Sequence, residues 1–234
     1  MVRRAVSFGS AVIEGTLTVD GVRARRADSL EEAIAIQSDH VLPVLIDPDA
    51  ILLADYAPTV LIDARMLKRE PGPLPFRPPL LIGLGPGFIA PTNCDLVIET
   101  MRGHTLGRVI WQGAAQPDTG LPDPVMGHAG DRVLRSPADG VFVNLVSIGD
   151  RVEGGQPVAQ VGTETIVAPF NGVVRGLIHS GLTIKKGMKV GDIDPRGEPA
   201  YCFMISDKSL AIGGGVLEAI LSWPAMHERI QSYR

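Results

Sequence analysis

The chain has 234 residues, 45% of them apolar, and a formal net charge of −4, enough to bury one large core or two modest ones. An acidic balance of that size excludes the basic footprint that phosphate-backbone binding requires, so nucleic acid is not an expected partner. Met1-Val2-Arg3-Arg4 is followed by no apolar leader, and Cys94 and Cys202 form no C-x-x-C pair, so the expectation is a cytoplasmic, reduced chain without a thiolate metal site.

In chain order, Ser29 followed by Glu32 is a capping box that opens a helix running to about Ser38. A strand is expected at Val41–Ile46, then a short helix with Asp47 as N-cap and Pro48 at N1, ending near Tyr56, then a strand at Thr59–Asp63. Strand, helix and strand in that order argue for an α/β domain with a partly parallel, mixed sheet. Pro71 to Pro79 reads as a surface connection. The uncharged stretch Pro78 to Cys94 holds three glycines and several prolines, a strand and loop rather than a membrane span. Its strand, Leu80-Leu81-Ile82, runs into Gly83-Leu84-Gly85-Pro86-Gly87-Phe88. Backbone N–H groups at Gly85 and Gly87 could cradle an anion. A plain tight turn is the competing reading, since Pro86 removes a donor and the spacing matches neither the dinucleotide fingerprint nor the P-loop.

Asp95–Thr100 and Arg108–Gly113 alternate as a hairpin, which places Arg102 and His104 in its turn. Glu99, Arg102, His104 and Arg108 are the densest polar group in the chain. Two readings stand: a solvated turn with an ordinary salt bridge, or recognition of an anionic ligand, with Arg102 and Arg108 as donors and His104 passing a proton. Metal ligation by His104 with Glu99 and Cys94 matches no metal motif. Cys94 is either a reactive thiol or a small buried hydrophobe.

Residues 136–162 superpose on 168–194 at a constant offset of 32, without gaps. Pro137, Gly140, Val141, Leu145, Gly149, Gly155 and Val158 recur as Pro169, Gly172, Val173, Leu177, Gly181, Gly187 and Val190. Asp139-Gly140 and Asn171-Gly172 are expected to turn at positive φ, and each half can bury its apolar face only against the other. This pattern closely resembles lipoyl and biotinyl domains, of barrel-sandwich hybrid fold. The resemblance implies a modified lysine in the hairpin between the halves, at Gly162-Thr163-Glu164-Thr165, and none stands there. The barrel is therefore expected to be structural or a docking element. Near the C-terminus, Lys208 and the glycines up to Gly214 precede helical character at Val216–Trp223, as in a phosphate-holding helix start or merely a flexible entry.

Three stretches carry a second resemblance: Arg3-Arg4-x-Val6-Ser7-Phe8 through Gly15, Asp63-Ala64 with Gly83 to Phe88, and Val97 to Arg108. Asp118-Thr119-Gly120-Leu121-Pro122, Asp207-Lys208 and Gly214 to Ala219 agree with it. Together they resemble the selenium-dependent molybdenum hydroxylase maturation family, found beside xanthine dehydrogenase-type enzymes. The resemblance implies handling of the molybdenum cofactor or its labile selenium or sulfur ligand, molybdopterin or a nucleotide as ligand, and a hydroxylase or cofactor-maturation protein as partner. In that family a strand and a glycine-rich, dinucleotide-like turn precede the Arg-Arg motif, whereas this chain starts at the motif. Its own nucleotide binding is then in doubt, and the uncovered sheet edge is open to a partner or a second copy.

The organisation expected from sequence is a partial Rossmann-like α/β domain over 1–130, a barrel-sandwich hybrid over 131–200 without its acceptor lysine, and a C-terminal strand and helix over 201–234 packing back on the α/β part. The competing function is a non-catalytic module docking on a hydroxylase subunit through the barrel. A membrane-fusion adaptor is a distant third, since neither coiled coil nor anchor is evident.

Overall fold

The computed structural model describes residues 1–120 and 124–226. Leu121-Pro122 of the resemblance lies outside them. In chain order the elements are α1 (Ala11–Glu14), β1 (Thr16–Val19), β2 (Val22–Arg26), α2 (Leu30–Ser38), β3 (Leu42–Val44), α3 (Leu52–Tyr56), β4 (Val60–Asp63), β5 (Leu80–Leu84), β6 (Ile89–Ala90), β7 (Leu96–Ile98), β8 (Val109–Ile110) and β9 (Gly113–Ala114). There follow β10 (Val133–Arg135), β11 (Gly140–Asn144), β12 (Arg151–Val152), β13 (Pro157–Val161), β14 (Glu164–Val167), β15 (Gly172–Leu177), β16 (Thr183–Ile184), β17 (Lys189–Asp194) and α4 (Asp207–Ser222). Two compact units share them, one of Met1–Ile46 with Leu121–Ile205, the other of Asp47–Gly120 with Ser206–Arg234. The stretch expected to be one domain over 1–130 is thus divided after Ile46.

In the first unit, β2, α2 and β3 form a βαβ turn, with Ala24 opposite Leu42 in a parallel pair. Ser29 Oγ accepts from Glu32 N at 3.2 Å, while the Glu32 carboxylate reaches back to Asp28 N at 2.9 Å, so the helix start is closed from both sides. The strand after β3 is not its neighbour: β4 belongs to the other unit's sheet.

The repeat builds two four-stranded sheets, ordered β10-β17-β15-β12 and β14-β13-β11-β16. The offset of 32 carries β11 onto β15, β12 onto β16 and β13 onto β17, so one sheet order reproduces the other. Side-chain clamps repeat too: Asp139 Oδ1 accepts from Lys186 N at 2.7 Å, and Asn171 Oδ1 from Gly154 N at 2.8 Å. Phe142 with Val174, Val152 with Ile184, Val158 with Val190 and Val161 with Ile193 are equivalent pairs buried in one core. Gly140 has φ 156°, but Gly172 is not at positive φ as expected. A β-carbon on Gly172 would stand 2.6 Å from Asp194 O, so close backbone approach is what requires glycine there. Val161 opposite Glu164 leaves Gly162-Thr163 as the turn between the halves, with Gly162 at φ 61°.

The halves differ on their outer faces. Val173 and Leu177 are fully buried, whereas their equivalents Val141 and Leu145 are 49% and 47% exposed. The N-terminal residues lie against Leu177: Leu177 N donates to Val2 O at 2.8 Å, and Arg4 Nε donates to Leu177 O at 3.0 Å.

In the second unit β4, β5 and β7 run parallel and β8 closes against β7 antiparallel, Val97 opposite Ile110. One sheet side, Leu80, Ile82, Leu84, Leu96 and Ile98, packs on α4 through Ala219, with Val216 and Ile220. The other side buries Leu81 and Val97 with Phe88 and Cys94. α3 starts later than Pro48 suggested, at Leu52, because the Asp47 carboxylate accepts from Ile51 N and Leu52 N at 3.0 and 2.9 Å instead of capping at N2 or N3. The expected C-terminal strand is a 3-10 turn over Pro199–Cys202: Pro199 cannot pair in a ladder, and Glu198 caps the turn by accepting from Ala200 N. Nor does α4 start after the glycines. Ser206 caps it by accepting from Ser209 N, and Gly213, Gly214 and Gly215 lie within it.

Candidate functional site

In an open sheet with parallel strands, the loops leaving the carboxyl ends are where ligands are met. Here those loops follow Asp63 on β4, Leu84 on β5 and Ile98 on β7. Asp63 ends an apolar strand, is buried, and is gripped by Arg65 two residues on: Arg65 Nε lies 3.0 Å from both carboxylate oxygens and the backbone N of Arg65 donates to Oδ1 at 3.1 Å. Two cavities of 470 and 460 Å³ share Asp63 and Gly72-Pro73-Leu74 as lining. Asp63 was expected as the end of a strand and as part of the resemblance, not as a site residue; an acidic residue closing an apolar strand was the available signal.

The glycine-rich loop turns tightly between β5 and β6. Gly85, at φ 91°, donates its N–H to Ile98 O at 3.2 Å, and a β-carbon there would lie 3.1 Å from Thr100 Oγ1. Gly87 lies under the backbone of Leu67 and Arg69, where a β-carbon would meet Arg69 O at 2.5 Å. Both glycines serve close packing of the three loops.

Of the hairpin residues, Glu99 faces inward. Its carboxylate accepts from Met101 N at 2.7 Å and from Gln116 N at 2.8 Å, so it ties the turn to the segment after β9. Gln116 Nε2 adds a hydrogen bond to Thr105 Oγ1 at 2.8 Å. Arg102 faces the first turn of α4 and meets Asp207 with both ends of its fork, NH2 to Oδ1 at 2.7 Å and NH1 to Oδ2. His104 and Arg108 are exposed, with no side-chain partner among the described residues. Lys208 follows Asp207 on α4, half-buried, while Gly214 sits exposed in mid-helix, away from the helix start. The structure therefore joins Arg102 to the start of α4 and Gly85 to Thr100. It turns Glu99 away from solvent and leaves Gly87 and Gly214 out of the group. The partner that sequence reasoning missed is Asp207, an acidic residue in the first helical turn where carboxylates are favoured.

No group of three or more His, Cys, Asp or Glu is placed to hold a metal ion among the described residues. Cys94 is buried, and burial pushes its thiol up to about 11, which leaves almost no thiolate at neutral pH. Cys202 is buried and raised as well. Neither cysteine should react with a thiol reagent at pH 7.5 until the chain unfolds; rapid native labelling at either position would contradict their placement.

No family model matches the chain. It is 45% identical over 232 residues to the uncharacterized protein YqeB of Escherichia coli K12, covering 99% of this chain and 42% of that protein. The chain thus spans less than half of that relative's length. Solved structures that align include an aspartoacylase family protein from Mesorhizobium loti, 22% identical over 34% of this chain and 25% of its own. Another is the product-bound ectoine utilization protein EutE (DoeB) from Ruegeria pomeroyi, 28% identical over 36% and 27%. Each has a TM-score of 0.26, and neither bears on the fold. No helix among the described residues is long and apolar enough to cross a membrane.

Proposed function

We propose that this chain is an accessory protein in the maturation of selenium-dependent molybdenum hydroxylases, holding an oxyanionic part of the molybdenum cofactor, or its labile selenium or sulfur ligand, at the turn after β7. The observation that supports this reading is the forked pair between Arg102 and Asp207, which joins two stretches on which the family resemblance rests. A guanidinium fork fits a carboxylate and a tetrahedral oxyanion by the same geometry. The pair is exposed, 36% and 71% at the two side chains, and such pairs contribute only ~0–1 kcal/mol. A doubly charged ligand can therefore displace Asp207 at little cost. His104 and Arg108 stand in the same turn and Lys208 beside Asp207, adding positive charge and a proton donor. Titration with phosphate, selenophosphate, molybdate and molybdopterin tests this. Arg102→Ala should weaken binding by about 1.5–3 kcal/mol, whereas Asp207→Asn, which removes the competing carboxylate, should tighten it. Absence of binding by all four, with the partner hydroxylase present, would sink the proposal.

A second reading, a docking module, draws on the outer face of β11, where Val141, Val143 and Leu145 are exposed although the equivalent face of β15 is covered. On this reading the sandwich is a lipoyl-like barrel kept for contact, without an acceptor lysine. Val143→Glu should then abolish capture of the hydroxylase and leave anion binding intact. The reverse pattern favours the first reading.

A further inference from the structure

The outer side of the β10-β17-β15-β12 sheet carries a charged cluster that the turn at Arg102 does not use. Arg132 holds Asp192 at 2.9 Å, and Asp194 is held by Arg196 at 2.6 Å, with Arg175 Nε 3.6 Å away. Arg3 lies beneath the Pro199–Cys202 turn, its NH2 donating to Tyr201 O at 3.1 Å and to Met204 O at 3.4 Å. Four guanidinium groups, Arg3, Arg132, Arg175 and Arg196, thus stand against the two carboxylates of Asp192 and Asp194, with the exposed Lys189 at the edge. The cluster is desolvated: Arg132 and Arg175 side chains are 12% and 13% exposed, and Asp192 and Asp194 are buried. Burial pushes the Lys189 ammonium and the Arg3 guanidinium below their usual ranges, Arg3 further through the charge of Arg175, and pushes the Asp192 carboxyl above its own.

Three N–H donors in this cluster, Nε of Arg3, Arg132 and Arg175, are buried and make no hydrogen bond among the described residues, although that of Arg175 stands 3.6 Å from Asp194 Oδ2. A guanidinium cannot shed its proton to escape such a setting. Buried donors without partners, and like charges gathered out of water, are both strongly unfavourable unless an acceptor of opposite charge completes them. We propose that this cluster is a second anion site, distinct from the Arg102 turn, which takes a small oxyanion of the sulfate, phosphate or selenate type against the Nε–H groups of Arg3 and Arg175. Such a ligand supplies several acceptor oxygens and up to two negative charges, matching both the idle donors and the surplus of cations. The site does not depend on the function proposed above.

Calorimetric titration of the full chain with sodium sulfate and sodium selenate, at constant ionic strength and in an Arg102→Ala background, separates this site from the turn. Saturable binding is expected there, weakened about tenfold or more by adding Arg175→Met, since a charge-assisted contact is lost. No binding in the Arg102→Ala background, or equal affinity with and without Arg175→Met, overturns the proposal. So does a crystal grown from selenate in which the anomalous signal is absent from Arg3 and Arg175 and waters occupy their Nε–H groups. If Arg175→Met does not fold, Asp192→Asn decides: removing the competing carboxylate should tighten sulfate binding several-fold, and unchanged or weaker binding would refute the site.

Discussion

Gly215→Ala is expected to destabilise the second unit by about 3 kcal/mol, the upper end of what overpacking a close contact costs. The position is in a helix, where alanine is normally the better residue, and the gain from replacing glycine is about 0.5–1 kcal/mol. What reverses the sign is the neighbour. A β-carbon on Gly215 would stand 2.0 Å from Gly107 O, and one on Gly107 would stand 2.4 Å from Ala211 O. Both obstacles are backbone, and backbone cannot swing aside as the end of a long side chain can. Gly214, one residue earlier, has nothing within 4 Å of its β-carbon position, so Gly214→Ala should stabilise the chain by the ordinary helical amount. Urea unfolding followed by fluorescence of Trp223, which packs with α4 on the sheet, reads both variants. Similar midpoints for the two would mean that α4 does not sit against the 99–108 turn as described. The effect reaches the site, because Asp207 rides on α4 and Arg102 on the turn. A helix lifted by a methyl group at Gly215 loses the forked contact, so the anion affinity of Gly215→Ala should fall as well.

The glycines of α4 mark a limit of what the sequence discloses. Gly213-Gly214-Gly215 resembles a flexible approach to a helix, and propensity alone argues for starting the helix after it. The structure runs the helix through the glycines because tertiary packing overrides propensity: a partner backbone at Gly107 needs the space. That need is invisible until Gly107 and Gly215 are known to meet. Glu99 was singled out for its charge, yet its carboxylate is spent on the N–H groups of Met101 and Gln116; charge alone does not say which way a side chain at a strand end points. Ser29 and Glu32, by contrast, form a local device whose partners are three residues apart, and that device was readable. The internal repeat was readable for a related reason. Each half leaves its apolar face open, so the same spacing of Pro, Asp or Asn, Gly and Val had to recur at one offset. What the repeat could not disclose was its broken symmetry. Leu145 and Leu177 are the same residue at the same place in the repeat, yet the first is exposed and the second is buried with Val2 against its strand.

Phe142→Ala should cost the first unit about 3–5 kcal/mol, the range for removing a buried phenylalanine. Phe142 is fully buried and shares its cluster with Val158, Val161, Val174 and Ile184, drawn from both sheets, so its loss leaves a cavity that neither sheet can close without shifting its partner. Val143→Ala, at the next position, removes a side chain that is 45% exposed and should change stability by no more than about 0.5 kcal/mol. The contrast tests the register. Phe142 stands opposite Val161 and Val143 opposite Gln160, and a slip of one residue would exchange inward and outward side chains along the whole strand. Denaturant midpoints that fell for Val143→Ala and held for Phe142→Ala would show that β11 pairs one residue out of step. In that case Val141, Val143 and Leu145 would be core, and the bare face that motivates docking through this sheet would not exist.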